Sequence, residues 1–213
     1  MSDLIKRKRL RRRQEILDKT FELFSTQGYQ AVNLDVIAAH SGCSKSTLYQ
    51  LFGNKEGLIS ALNEDIVNEL AQDLYELSQA GLSIEDSLTT FARQTLELTL
   101  SDRHIAVIKT TFAETKTSPN LGTAYYQIGP EGAQKALAKF LENQVEASVL
   151  EISDCYQASV HFFGLLLWDK LMPMALGAHP AMSSSEIKQH AKWSVDTFLK
   201  IYRPCQTIPV GCR

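Results

Sequence analysis

No proline occurs in the first 118 residues of this chain, and that absence constrains its fold more than any other feature. Proline removes a backbone donor and clashes with the turn before it, so its absence lets the chain run as helix. Apolar residues in this stretch recur every three or four positions, with little of the alternation that strands need. Ile16, Leu17, Phe21 and Phe24 make a first stripe that ends at Gly28, a natural residue to follow a helix. Asn33 can cap a second helix bearing Leu34, Ile37 and Ala38, which Gly42 breaks. A third runs over about 44–51, with Leu48 and Phe52 inward. Asn54 caps a long fourth helix with Leu58, Leu62, Ile66, Leu70 and Leu74.

The remainder reads the same way. Ile84, Leu88, Phe91 and Leu98 mark one helix, and Ile105, Ile108 and Phe112 the next. Pro119 and Gly129-Pro130 punctuate a segment that resumes with Ala133, Leu137, Phe140, Leu141 and Val145. Ser153 is a candidate cap for the most apolar helix, over 156–176. Ser183 and Glu186 have capping-box spacing before a last helix with Ile187, Ala191, Val195, Phe198 and Tyr202 on one side. The expectation is an all-α fold of about nine helices without internal repeats. The residues after Pro204 read as a flexible tail.

Charge divides the chain. The formal net charge is −2, yet residues 1–13 carry seven basic side chains against Asp3 alone, leaving −8 on the rest. Residues 1–57 together balance at +4. A basic head on an acidic body indicates that one end meets a polyanion. Two short helices around Gly42 have the dimensions of a helix-turn-helix, whose second helix presents its N-terminal residues to base edges in the major groove. Here those residues are Lys45, Ser46 and Thr47, with Tyr49 and Gln50 projecting outward. The start of the fourth helix at Asn54-Lys55 offers free N–H groups and an ammonium to a phosphate. The run over 6–13, including Arg11, Arg12 and Arg13, is read as an arm along the adjacent minor groove, by analogy with homeodomain arms.

Gly28-Tyr29, then 33–38, then Gly42-Cys43-Ser44-Lys45-Ser46-Thr47-Leu48-Tyr49, and Phe52-Gly53-Asn54-Lys55-Glu56-Gly57-Leu58 together resemble the N-terminal signature of the TetR/AcrR family of transcriptional regulators. The resemblance implies that Lys45, Ser46 and Thr47 face bases or nearby phosphates, and that Tyr49 and Lys55 contact phosphate. Gln50-Leu51 departs from the commonest pattern, so operator sequence is not transferable; Gln50 suits adenine. More weakly, 129–131, 144–146 and 163–165 resemble the C-terminal domains of efflux-type members.

The rest of the chain has no catalytic constellation, no phosphate loop, and no histidine or cysteine pair at metal-ligand spacing. The four cysteines read as reduced thiols, and no apolar run approaches the ~18 residues of a membrane span. The chain is thus expected to be a cytoplasmic, cofactor-free, metal-free DNA-binding regulator and no enzyme. Its expected partners are double-stranded operator DNA, a second copy of itself and a small hydrophobic effector. The expected layout is a DNA-binding domain over 1–57, a ligand-binding and dimerisation bundle over 58–204, and a tail over 205–213.

The resemblance implies a ligand pocket, for which Phe112, Tyr125, Tyr126, Phe162 and Trp168 are the candidate lining. Glu114 and Asp169, beside apolar helix faces, are the candidate acidic groups within it. The helix from Tyr156 is apolar nearly all round and must be covered on every side. The resemblance implies a four-helix dimer interface, with Ala191, Val195 and Phe198 as its expected contacts. An activator, a regulator without a ligand and an α-helical enzyme using the C-terminal cavity remain alternatives.

Overall fold

A computed structural model describes the backbone of residues 2–203, and the side chains of 7–203 apart from Ile66 and Pro119. The expected tail over 205–213 and the Lys6 side chain lie outside the described residues. Among the described residues there are ten helices and no strand. They are α1 (Ser2–Gln27), α2 (Leu34–Ser41), α3 (Lys45–Phe52), α4 (Lys55–Gln79), α5 (Ile84–Thr99), α6 (Asp102–Glu114), α7 (Pro119–Ile128), α8 (Pro130–Glu146), α9 (Cys155–Ala175) and α10 (Ser184–Tyr202). The all-helical expectation holds. The helix that sequence reading passed over is α7, which begins on Pro119. Proline is suited to a first helical turn because its missing N–H would be unpaired there anyway.

Local signals set most boundaries. Asn33 accepts from the backbone N–H groups of Asp35 and Val36, both at 3.0 Å, and so caps α2. Gly42 ends α2 in the left-handed region, at φ +60°, where a side chain would be strained. Ser183 and Glu186 form the full capping box expected before α10. The cap of α9 is Asp154, which accepts from Gln157 N–H at 2.9 Å, rather than Ser153.

The chain forms two compact units, and each gathers separate stretches of sequence. Among the described residues the first comprises 2–68 with 101–131, and the second 69–100 with 132–203. One division therefore falls within α4. In the first unit Ile16, Leu17, Phe24, Ile37, Leu48, Phe52, Leu58 and Leu62 share a core with Val107 of α6 and Leu121 of α7. The helix-turn-helix thus completes its core with residues from much later in the chain.

The second unit is built around α5, α9 and α10. The fully buried rings of Phe91 and Phe162 lie 6.0 Å apart, and Phe162 meets Phe198 edge-on at 5.3 Å. Leu88, Leu96, Leu166, Ala191, Val195 and Leu199 pack into the same interior. Ala191, Val195 and Phe198 each have no exposed surface, which corrects their expected role at a subunit interface. The side of α10 that carries them is spent on the chain's own core. Phe162 is likewise core and cannot line an open pocket.

Candidate nucleic-acid interface

The short helix α3 is held from within by Leu48 and Phe52, both buried. Residues on the side of the helix opposite these anchors point away from the core. Lys45, Ser46, Tyr49 and Gln50 are exposed, and Thr47 is half-buried. Ser44 accepts the Thr47 backbone N–H at 3.1 Å, and its hydroxyl lies 2.8 Å from the Thr47 hydroxyl. The start of α3 is thereby fixed while its polar face stays open. Lys45 donates to Asp35 of α2 at 2.9 Å, and this bond raises the ammonium pKa. Both partners are solvated, so the pair orients Lys45 more than it stabilises the fold.

The turn from α3 to α4 is tighter than the sequence suggested. Asn54 Oδ1 accepts the Gly57 N–H at 2.7 Å, as its expected capping role requires. A Cβ on Gly57 would collide with the Phe52 carbonyl oxygen. That glycine is needed for close backbone approach, a requirement visible only once α3 and α4 are placed.

The basic run is the start of α1 rather than an extended arm of the homeodomain kind. Lys, Arg and Leu are good helix formers, and nothing in the run breaks the helix. Arg11 pairs with Glu15 one turn on, at 3.2 Å, and stays largely exposed. Arg12 donates to the carbonyls of Ser41 and Gly42 at 2.9 and 2.6 Å, and Lys19 to His40 O at 3.1 Å. Cations are favourable at a helix C-terminus, where unpaired carbonyls gather. Arg13 pairs with Asp65 at 2.5 Å and Glu64 at 3.1 Å, over the Phe52 ring. Arg12 and Arg13 therefore fasten α1 to α2 and α4. Arg11, Lys8 and Arg9 are exposed along the same helix.

Lys55 is also placed differently from expectation. Its ammonium donates to Tyr29 O and sits 3.9 Å from the centre of the Tyr29 ring. Such a contact is worth about 0.5–2 kcal/mol, depending on desolvation. Burial lowers the Lys55 pKa, and the charge of Glu114 opposes that shift. The Tyr29 hydroxyl is pushed up to about 12, by burial first and by Glu56 and Glu114 after it. Glu114 itself is buried and accepts from Gln30 Nε2 and from Thr117 Oγ1, the latter at 2.9 Å.

The candidate ligand residues are divided between the two units, with Phe112, Tyr125 and Tyr126 in the first and Phe162 and Trp168 in the second. Phe112, Tyr126 and Trp168 are 58%, 53% and 71% exposed, so each points away from the interior of its unit. Tyr125 is half-buried in the first unit, with its hydroxyl 3.2 Å from His104 Nε2 and its carbonyl accepting from Asn63 at 3.0 Å. Burial pushes His104 down to about 4, so its ring is uncharged at neutral pH. Its buried Nδ1 has no hydrogen-bond partner. Leaving such an atom unpaired costs about 1–3 kcal/mol. In the second unit an open pocket of about 510 Å³ is lined by Pro173, Met174, Met182, His190 and Trp193 among others. Asp169 lies on it, paired with Lys170 at 2.8 Å.

No group of three or more His, Cys, Asp or Glu side chains among the described residues is arranged to hold a metal. No helix among them is long and apolar enough to cross a membrane.

Residues 16–62 match the model of bacterial regulatory proteins of the tetR family, and 86–204 that of the AefR-like transcriptional repressor C-terminal domain. The chain is 23% identical over 178 residues to the HTH-type transcriptional regulator YhgD of Bacillus subtilis strain 168, covering 83% of this chain and 90% of that one. Among solved structures, a TetR-family transcriptional regulator from Mesorhizobium loti MAFF303099 superposes with a TM-score of 0.81 at 25% identity. The flavonoid-responsive regulator FrrA gives a TM-score of 0.68 at 31% identity. Each of these two matches covers 92% of this chain and 98% of the other.

Proposed function

The chain belongs to the TetR family of bacterial regulatory proteins, and from that membership we propose that it is a homodimeric repressor released from its operator by a small, uncharged hydrophobic ligand. DNA binding by a helix-turn-helix is the family's shared property; dimerisation, repression and ligand release are the finer reading. The observation that carries it is the start of α3, where Lys45, Ser46 and Tyr49 stand exposed on a helix clamped by Leu48 and Phe52. Two such heads in a dimer would read two half-sites at a fixed spacing. A ligand that binds better to a conformation with the wrong spacing lowers operator affinity by that difference in binding.

The test is readout. Lys45→Ala and Thr47→Ala are each expected to weaken binding to an operator selected from random duplexes by about 1–3 kcal/mol, with little change on bulk DNA. Gel-shift titrations on both DNAs measure this. Equal losses on both would reduce these residues to backbone contacts and sink base readout through α3.

Three observations favour an uncharged effector. His104 is a neutral buried ring with an unmet hydrogen-bonding atom, which suits a hydroxyl or amide on an otherwise apolar molecule. The 31% identical neighbour is described as flavonoid-responsive, and flavonoids are neutral or weakly acidic phenolics. Anions meet an acidic chain from residue 58 onward, with a balance of −6. Neutral phenolics are therefore expected to release the protein from its operator at lower concentration than acyl-CoA thioesters. Release by acyl-CoA alone, followed by fluorescence anisotropy, contradicts the assignment.

A further inference from the structure

We propose that Asp35 determines sequence specificity: with Lys45 it forms one hydrogen-bonded donor–acceptor unit that reads a guanine–cytosine pair of the operator. This rests on the reading of α3 as the helix that faces base edges. Asp35 is the second residue of α2 and Lys45 the first of α3, so the two helices of the helix-turn-helix meet at their N-terminal turns through this pair. The Lys45 ammonium donates to Asp35 Oδ2 at 2.9 Å, while the two side chains stay 46% and 68% exposed. Both stand on capped backbone. Asn33 accepts the backbone N–H of Asp35 at 3.0 Å, and Ser44 that of Thr47 at 3.1 Å.

An exposed ion pair contributes little to stability, so its consequence lies in what it presents. A carboxylate beside DNA is repelled by phosphate, and that cost is offset where a base offers it a donor. The major groove has two such donors, cytosine N4 and adenine N6. In a guanine–cytosine pair the N4 donor lies beside guanine O6, with N7 next in line, so two acceptors adjoin one donor. Lys45 has three N–H groups and gives one to Asp35. The other two match O6 and N7, and Asp35 keeps lone pairs for N4. An adenine–thymine pair instead sets its donor between single acceptors, with the thymine methyl beside one of them. There the ammonium meets one acceptor rather than two.

The experiment uses the full chain and an operator selected from random duplexes by the wild-type protein. Each base pair of one half-site is exchanged in turn, and fluorescence anisotropy gives the affinity of wild type, Asp35→Ala and Lys45→Ala for every exchange. Wild type is expected to lose roughly ten-fold or more when one particular guanine–cytosine pair becomes adenine–thymine. Asp35→Ala and Lys45→Ala should each shrink that ratio several-fold, and at the same pair. Binding of Asp35→Ala to random DNA should not fall, because a negative charge has left. Thermal melts by circular dichroism establish that each variant is folded.

A ratio left intact at every pair by Asp35→Ala overturns the proposal. Loss at a pair other than the one that Lys45→Ala affects overturns it too, as does a selected operator in which no guanine–cytosine pair carries that weight. If Lys45→Ala weakens binding to operator and random DNA equally, base readout through α3 itself fails. That result removes the underlying reading, and it is distinguishable because it is seen with Asp35 intact.

Discussion

Phe198→Asp is expected to prevent the second compact unit from folding. Phe198 is fully buried, 5.3 Å from the Phe162 ring and 4.7 Å from that of Tyr202. Removing a buried phenyl group costs about 3–5 kcal/mol from lost burial and the cavity left behind. The new carboxylate adds the cost of an ionised group without a partner in an apolar site, and it must either take up a proton or draw water in. Domains of this size have about 5–15 kcal/mol of total stability, so the two effects together consume most or all of it. The expected result is loss of helical circular dichroism and of soluble protein. A well-folded variant that melts like wild type but runs as a monomer would instead place Phe198 at a subunit interface, as the sequence pattern alone suggests.

That contrast marks where the sequence was legible. The caps at Asn33, Asn54 and Ser183 and the turn at Gly42 are local chemistry, and each is found in its expected role. The outward face of α3 follows from helical spacing once Leu48 and Phe52 are taken as anchors. What periodicity cannot supply is the identity of whatever covers an apolar stripe. The stripe through Ala191, Val195 and Phe198 is equally consistent with a partner subunit and with the chain's own α5 and α9. Charge misleads for the same reason. Arg12, Arg13 and Lys55 belong by sequence to a basic head, yet they find carbonyls, carboxylates or rings nearby. Such partners are distant in sequence, as with Arg13 and Asp65, and only the fold brings them together. The joining of α6 and α7 to the helix-turn-helix core is a tertiary fact of this kind.

The reassigned face of the second unit carries the other large expectation. Along α9, Gln157, His161, Gly164 and Trp168 are exposed at three- and four-residue spacing, and a Cβ at Gly164 would meet nothing within 4 Å. On α10, Trp193 and Ile201 are 54% and 61% exposed. Exposed tryptophans in number are unusual on a monomer and are enriched at protein interfaces. A second copy of α9 and α10 would cover them, completing a four-helix contact on faces that the core leaves unused. The double substitution Trp168→Glu and Trp193→Glu is therefore expected to give folded monomers, because neither side chain supports the interior. With two heads no longer linked, operator affinity should fall about 10²–10⁴-fold, while binding of one head to bulk DNA changes little. Light scattering, circular dichroism and operator titration measure the three quantities separately. A variant that remains a dimer at micromolar concentration would move the interface away from α9 and α10. A monomer with undiminished operator affinity would show that one head suffices, and the spacing mechanism would fail with it.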